Sequence, residues 1–180
     1  MDAVTHLSDI IEGAGRGVPE VRVSVGFPKS GGRGNSVIGQ CWASEASADK
    51  RAQIFIHPML EDGARVLDVL LHELVHATLG AGLGHGKEFK QLATACGLTG
   101  KMTATVASPE LIEQLNAIIE LIGEYPHAKL NTDNTKKQTT RLIKCECQEC
   151  GYITRTSSKW LEGLGAPICP LDFEPMQVAD

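Results

Sequence analysis

The chain has 180 residues, of which 42% are hydrophobic and 22% charged, enough apolar material for one sizeable core and a small appendage. A formal net charge of −5 gives no overall case for nucleic-acid binding, and no apolar run nears the ~20 residues of a membrane-spanning helix. The charge is uneven: residues 1–127 carry 10 basic and 15 acidic side chains, residues 128–165 carry 7 and 4, and the last fifteen add three acids.

The opening Met1-Asp2-Ala3-Val4-Thr5-His6 lacks the charged and apolar regions of a secretory signal, so the expected location is cytoplasmic, with no membrane partner. Residues 7–12 suit a short helix that ends in the glycine-rich stretch 13–17. Residues 21–25 alternate apolar and polar side chains, the period of a half-buried strand. Residues 29–35, with three glycines, are expected to be a plain hairpin connection, because no lysine–serine/threonine pair follows to open a phosphate-binding helix. Residues 37–43 and 53–57 are the second and third strands, and three strands with short polar loops predict a small antiparallel sheet. Cys41 has no signature catalytic partner and reads as a buried strand thiol. His57, just before Pro58, reads as structural.

The stretch 66–77 reads VLDVLLHELVHA. Asp62 or Glu61 caps this helix with Gly63 just inside it, and Gly80 stops it. His72 and His76 stand four apart, one above the other on a single helix face, so both imidazoles can reach one metal ion. Glu73 projects beside that ion, where a general base for a water must sit. The helix is apolar nearly all round, and ionisable residues within it are costly unless paired or metal-bound. His85 follows the turn Gly80-Ala81-Gly82-Leu83-Gly84 and offers a third imidazole. Three protein ligands with one open position describe a catalytic zinc. A second helix is expected over 87–96, with Phe89, Leu92, Ala93 and Cys96 packing inward. A third is expected over 109–122, with Ser108 as N-cap and Pro109 in its first turn. Its stripe is Leu111, Ile112, Leu115, Ile118, Ile119 and Ile122.

The first domain is therefore set at 1–127, a polar linker at 128–140 and a cysteine-rich module at 141–180. Cys147-Gln148-Glu149-Cys150-Gly151 has zinc-knuckle spacing. With Cys169 it supplies three thiolates, and Cys145, Asp172 or a water completes the set. Four crowded cysteines without a secretory signal favour structural zinc over disulfides. Lys136, Lys137, Arg141, Lys144, Arg155 and Lys159, interleaved with Tyr152 and Trp160, are the candidate nucleic-acid contacts.

Together HELVHATLGAGLGHGKEF and the C-terminal cysteines resemble the SprT-like metallopeptidase family, which includes the Spartan proteases, in its phage and bacterial form with a zinc ribbon. The resemblance covers roughly residues 20–175. It implies an α+β, zincin-like fold with His72, His76 and His85 on a catalytic zinc, Glu73 as base, and a sheet edge that receives an extended peptide. It also implies cleavage of proteins associated with DNA. Tyr125, His127 and Lys87 are the candidates for a second electrophile. The rival reading is a catalytically dormant, zinc-stabilised module that binds nucleic acid or polymerase through the basic ribbon.

Overall fold

Asp2 starts the first helix, α1 (Ala3–Gly13), its carboxylate accepting the Thr5 N–H at 3.0 Å; α1 sends Leu7 and Ile11 into the core. The computed structural model describes residues 2–29, 37–131 and 141–179 and divides into two units, Met1–Asp133 and Asn134–Asp180. Residues 30–36 of the glycine-rich turn and 132–140 of the expected linker, Lys136 and Lys137 among them, lie outside the described residues.

In the first unit, strands β1 (Val21–Val25), β2 (Gly39–Trp42) and β3 (Ala52–Ile56) form a sheet in the order β1-β3-β2. This corrects the expected antiparallel sheet. β3 runs parallel to β1 (Val23 opposite Ile54) and antiparallel to β2 (Cys41 opposite Ile54). It also corrects the hairpin, since β3 lies between the two strands that the glycine-rich segment joins. The physical reason is burial. β3 alternates buried and half-buried residues, with Ala52, Ile54 and Ile56 on its core face, whereas β1 is largely exposed. The most apolar strand takes the middle, where both of its edges are paired.

Helix α2 (Gly63–Leu79) lies against this core face. Asp62 caps it, accepting the Arg65 N–H at 2.7 Å, and Gly80 ends it at φ 92°, in the left-handed region where a glycine costs least. Every residue from Val66 to Val75 is buried except His72, which is half-buried. Helices α3 (Lys87–Ala95) and α4 (Pro109–Ile122) close the core with Phe89, Leu92, Leu111 and Leu115. The Ser108 hydroxyl caps α4 by accepting the Leu111 N–H at 3.2 Å. Its stripe is narrower than expected: Leu111, Leu115 and Ile118 are buried, while Ile112 is 43% exposed. Between α3 and α4 runs a hairpin absent from the sequence reading, β4 (Leu98–Lys101) and β5 (Ala104–Ala107).

The second unit is a three-stranded antiparallel sheet of β6 (Leu142–Glu146), β7 (Ile153–Ser157) and β8 (Gln177–Val178) in the order β7-β6-β8, with a short helix α5 (Ser158–Leu164). Its buried centre is Cys145, Cys147, Cys169 and Met176, with Leu161 packed on it. Among the described residues this is a small apolar centre for a module of its size. The architecture is mixed α+β. Among the described residues no helix is long and apolar enough to cross a membrane.

Candidate metal centre

Two consecutive turns of α2 set the first pair of ligands, and the chain after Gly80 brings the third. A 3-10 turn (Ala81–Leu83) and Gly84 reverse the chain, so that His85 stands over the helix just before α3. His85 Nε2 lies 3.2 Å from His72 Nε2 and 3.1 Å from His76 Nε2. Tetrahedral zinc with bonds of about 2.0–2.1 Å sets its nitrogens about 3.3 Å apart, so three neutral donors of the right kind converge at the right separation. Phe89, one turn after His85 and 1% exposed, packs against all three rings, with centroids 4.9, 4.4 and 4.8 Å from His72, His76 and His85. Its apolar ring is the floor that keeps the imidazoles pointing at one another.

Burial sets the protonation of this group. Desolvation, helped by the neighbouring His76 and His85 rings and by Arg65, drives the His72 imidazole down to about 3. His76 falls to about 4 through burial and His85, and burial lowers His85 as well. All three present free lone pairs at neutral pH, as a metal requires. Glu73 is 6% exposed, and burial raises its carboxyl to about 8, the Cys41 backbone N–H acting in the opposite sense.

Gly39 on the edge strand β2 permits this placement of Glu73. A Cβ there would fall 2.6 Å from Glu73 Oε1 and 2.6 Å from Val69 Cγ1, so only glycine lets β2 close over the carboxylate. The imidazoles and Glu73 open onto a cavity of about 550 Å³, bounded by β2, α2, the turn at residues 81–85 and the β4–β5 hairpin. Cys41 borders it too, but burial and the Glu73 charge push its thiol up to about 12, which leaves it inert as a nucleophile.

Of the electrophile candidates, none borders this cavity, and that expectation is corrected. Tyr125 borders a different cavity with its hydroxyl buried, and His127 Nε2 donates to the Pro58 carbonyl at 2.8 Å. Lys87 begins α3 on the surface. His57 is buried away from the three imidazoles and accepts the Met59 N–H at Nδ1. Two residues at the site escaped the sequence reading. Arg65 precedes His72 by seven positions on the same helix face, and Thr105 sits on β5 with its hydroxyl 2.8 Å from His72 Nδ1. The helical spacing of Arg65 was a usable signal; a lone threonine in an unrecognised strand was not.

The cysteine cluster is built from two equivalent knuckles. The Cys147 carbonyl accepts the Gly151 N–H and its N–H donates to Tyr152; the Cys169 carbonyl accepts the Phe173 N–H and its N–H donates to Glu174. Cys150 and Asp172 therefore hold corresponding positions, and Gly151 (φ 73°) corresponds to Phe173 (φ 58°). The donor atoms of Cys147, Cys150, Cys169 and Asp172 lie within 4.8 Å of one another. Asp172 Oδ2 is 3.2 Å from Cys147 Sγ and 3.3 Å from Cys169 Sγ. Of the three candidates for the fourth place, Cys145, Asp172 and a water, the cluster brings in the Asp172 carboxylate and not Cys145. Cys145 alternates with Lys144 and Glu146 along β6 and faces the buried centre. Three thiolates and a carboxylate are zinc donors.

Among the basic candidates, Lys144 bonds Glu146 at 2.6 Å, Lys159 lies over the Trp160 ring, and Arg141 and Arg155 are exposed. Residues 134–180 as a whole carry six basic and six acidic side chains.

A family model described as the SprT-like family matches residues 12–108, more than half of the chain, from the end of α1 through β5. The cysteine cluster lies outside that stretch. No curated protein and no solved structure matches the chain.

Proposed function

The chain belongs to the SprT-like family, and on that premise we propose that it is a zinc-dependent endopeptidase. The observation that carries the reading is the convergence of His72, His76 and His85 at zinc-ligand separations, with the buried Glu73 beside them on an open cavity. Zinc bound by the three imidazoles supplies Lewis acidity toward a water and a substrate carbonyl. Glu73 accepts a proton from the attacking water and returns it to the departing amine, so the peptide is cleaved to a carboxylate and an amine with one water consumed. Phe89 holds the rings in place, and the cavity beside β2 receives the substrate chain. A second zinc on Cys147, Cys150, Cys169 and Asp172 staples the second unit as a ribbon.

The reading of the chain as a dormant nucleic-acid module is the weaker one. The second unit, residues 134–180, carries no net charge to attract a phosphate backbone, and a dormant site has no use for a glycine that makes room for Glu73. The test is Glu73→Gln. Zinc content should stay at the parent level while cleavage of an unfolded protein substrate falls at least about 100-fold. A variant that cleaves as fast as the parent would reject the enzyme reading.

A further inference from the structure

His72 has two ring nitrogens, and they face different things. Nε2 points at the other imidazoles, 3.2 Å from His85 Nε2, while Nδ1 lies 2.8 Å from Thr105 Oγ1. A nitrogen that gives its lone pair to a metal cannot also carry the proton, so the proton must sit on the other nitrogen and needs an acceptor there. Thr105 is 4% exposed, and its hydroxyl oxygen is that acceptor. Neither His76 nor His85 has such a partner at Nδ1 among the described residues, so the outer support of the cluster is concentrated on one hydrogen bond.

Thr105 is itself held from behind. Arg65 Nη1 donates to the Thr105 carbonyl at 3.2 Å and to the carboxylate of the buried Asp68. Arg65, Asp68 and His72 occupy successive turns of α2 on one face. Both polar ends of Thr105 are thus tied to that face, its carbonyl at Arg65 and its hydroxyl at His72. The β4–β5 hairpin cannot slide along the helix without breaking one of them.

We infer that Thr105 is a positioning residue for the metal: it holds His72 as the Nδ1–H tautomer with Nε2 free, and the Arg65–Asp68 pair holds Thr105 where it can do so. The inference rests on the zinc reading above and deepens it. Loss of an outer-shell partner of this kind weakens metal binding about 10- to 100-fold.

The experiment compares the parent full chain with Thr105→Val, which keeps the shape and removes the hydroxyl, and Thr105→Ser, which keeps the hydroxyl. Zinc affinity is read by competition with a chromophoric chelator, and His85→Ala defines the zinc held by the cysteines alone. The His72 tautomer is read separately, from long-range proton–nitrogen spectra of the metal-free proteins. The expected result is histidine-site zinc weakened about 10- to 100-fold in Thr105→Val and unchanged in Thr105→Ser. The Nδ1–H form should dominate in the parent and the serine variant and give way to a mixture in the valine variant. Equal zinc affinity in the valine variant and the parent overturns the inference, as does a serine variant that falls as far as valine. If the parent binds no more zinc than His85→Ala, the zinc reading itself fails, and the tautomer spectra alone decide whether Thr105 orients His72.

Discussion

The Cβ that Gly39 lacks would stand 2.6 Å from Glu73 Oε1, so a residue on the edge strand and the buried carboxylate on the helix share one volume. Gly39→Ala must displace either the carboxylate or β2. Misplacement of a catalytic group by about 1 Å can cost on the order of 100-fold in rate. The expected outcome is a fall in kcat of about 10- to 100-fold with the histidine-site zinc retained. Paired measurements of kcat and metal content check it, and an unchanged kcat would mean that the close approach is irrelevant to turnover.

Protonation gives the metal-free protein an unusual pH profile. His72 and His76 are held near 3 and 4 in the fold and take up protons near 6.5 when unfolded. Between those values the unfolded chain binds more protons, so stability falls as pH drops below about 6.5. Glu73 has the opposite sign. Its folded value of about 8 exceeds the unfolded value of about 4.3, so the fold keeps a proton that the unfolded chain has released, and stability falls as pH rises through that window. These groups together place the maximum near pH 6.5. Denaturant unfolding of chelator-treated protein from pH 4.5 to 8.5 checks this, with Trp160→Phe leaving Trp42 as the reporter of the first unit. Glu73→Gln should remove the decline on the alkaline side, and a decline identical in both proteins would contradict the assignment.

Phe173 takes a left-handed backbone (φ 58°) where the matching knuckle has Gly151. Such a conformation costs a side-chain-bearing residue roughly 1–2 kcal/mol, part of which glycine gives back in unfolded-state entropy. Phe173→Gly should therefore stabilise the zinc-loaded second unit by about 1 kcal/mol. In the same unit Asp172→Ala should weaken zinc binding, while Cys145→Ser leaves metal stoichiometry unchanged. Zinc titrations followed by thermal unfolding check all three.

Phe89 is the apolar floor under three imidazoles and is almost wholly buried. Phe89→Ala should cost about 3–5 kcal/mol through the cavity it leaves and loosen the ligand rings at once. Calorimetry and zinc titration of the same sample should both change. A variant that loses stability but keeps full zinc affinity would show that backbone alone aligns the rings.

How much of this was legible beforehand depended on how local the determinant was. Helices α2 and α4 could be read with their caps, because Asp62 and Ser108 act within three residues of themselves. The spacing of His72 and His76 follows from helix geometry alone. The order of the strands did not follow, because the centrality of β3 depends on its burial beneath α2, a tertiary fact. Thr105 was invisible for a related reason, since its partner His72 lies 33 positions away. Asp172 was half legible: spacing named it beside Cys145, and only the folded knuckle, with Phe173 matching Gly151, separated the two. Tyr125, His127 and Lys87 could not be ranked from the sequence, because which side of α2 a residue reaches is set by the fold.

Three imidazoles sharing one ion are the centre of the proposed chemistry, and anomalous diffraction at the zinc edge from crystals of the zinc-loaded full chain tests that most directly. The expected result is a zinc peak bonded to Nε2 of His72, His76 and His85 at about 2.0–2.1 Å, with the Glu73 carboxylate facing it. A map with no zinc between those rings, or with His85 turned away from the other two, would contradict it.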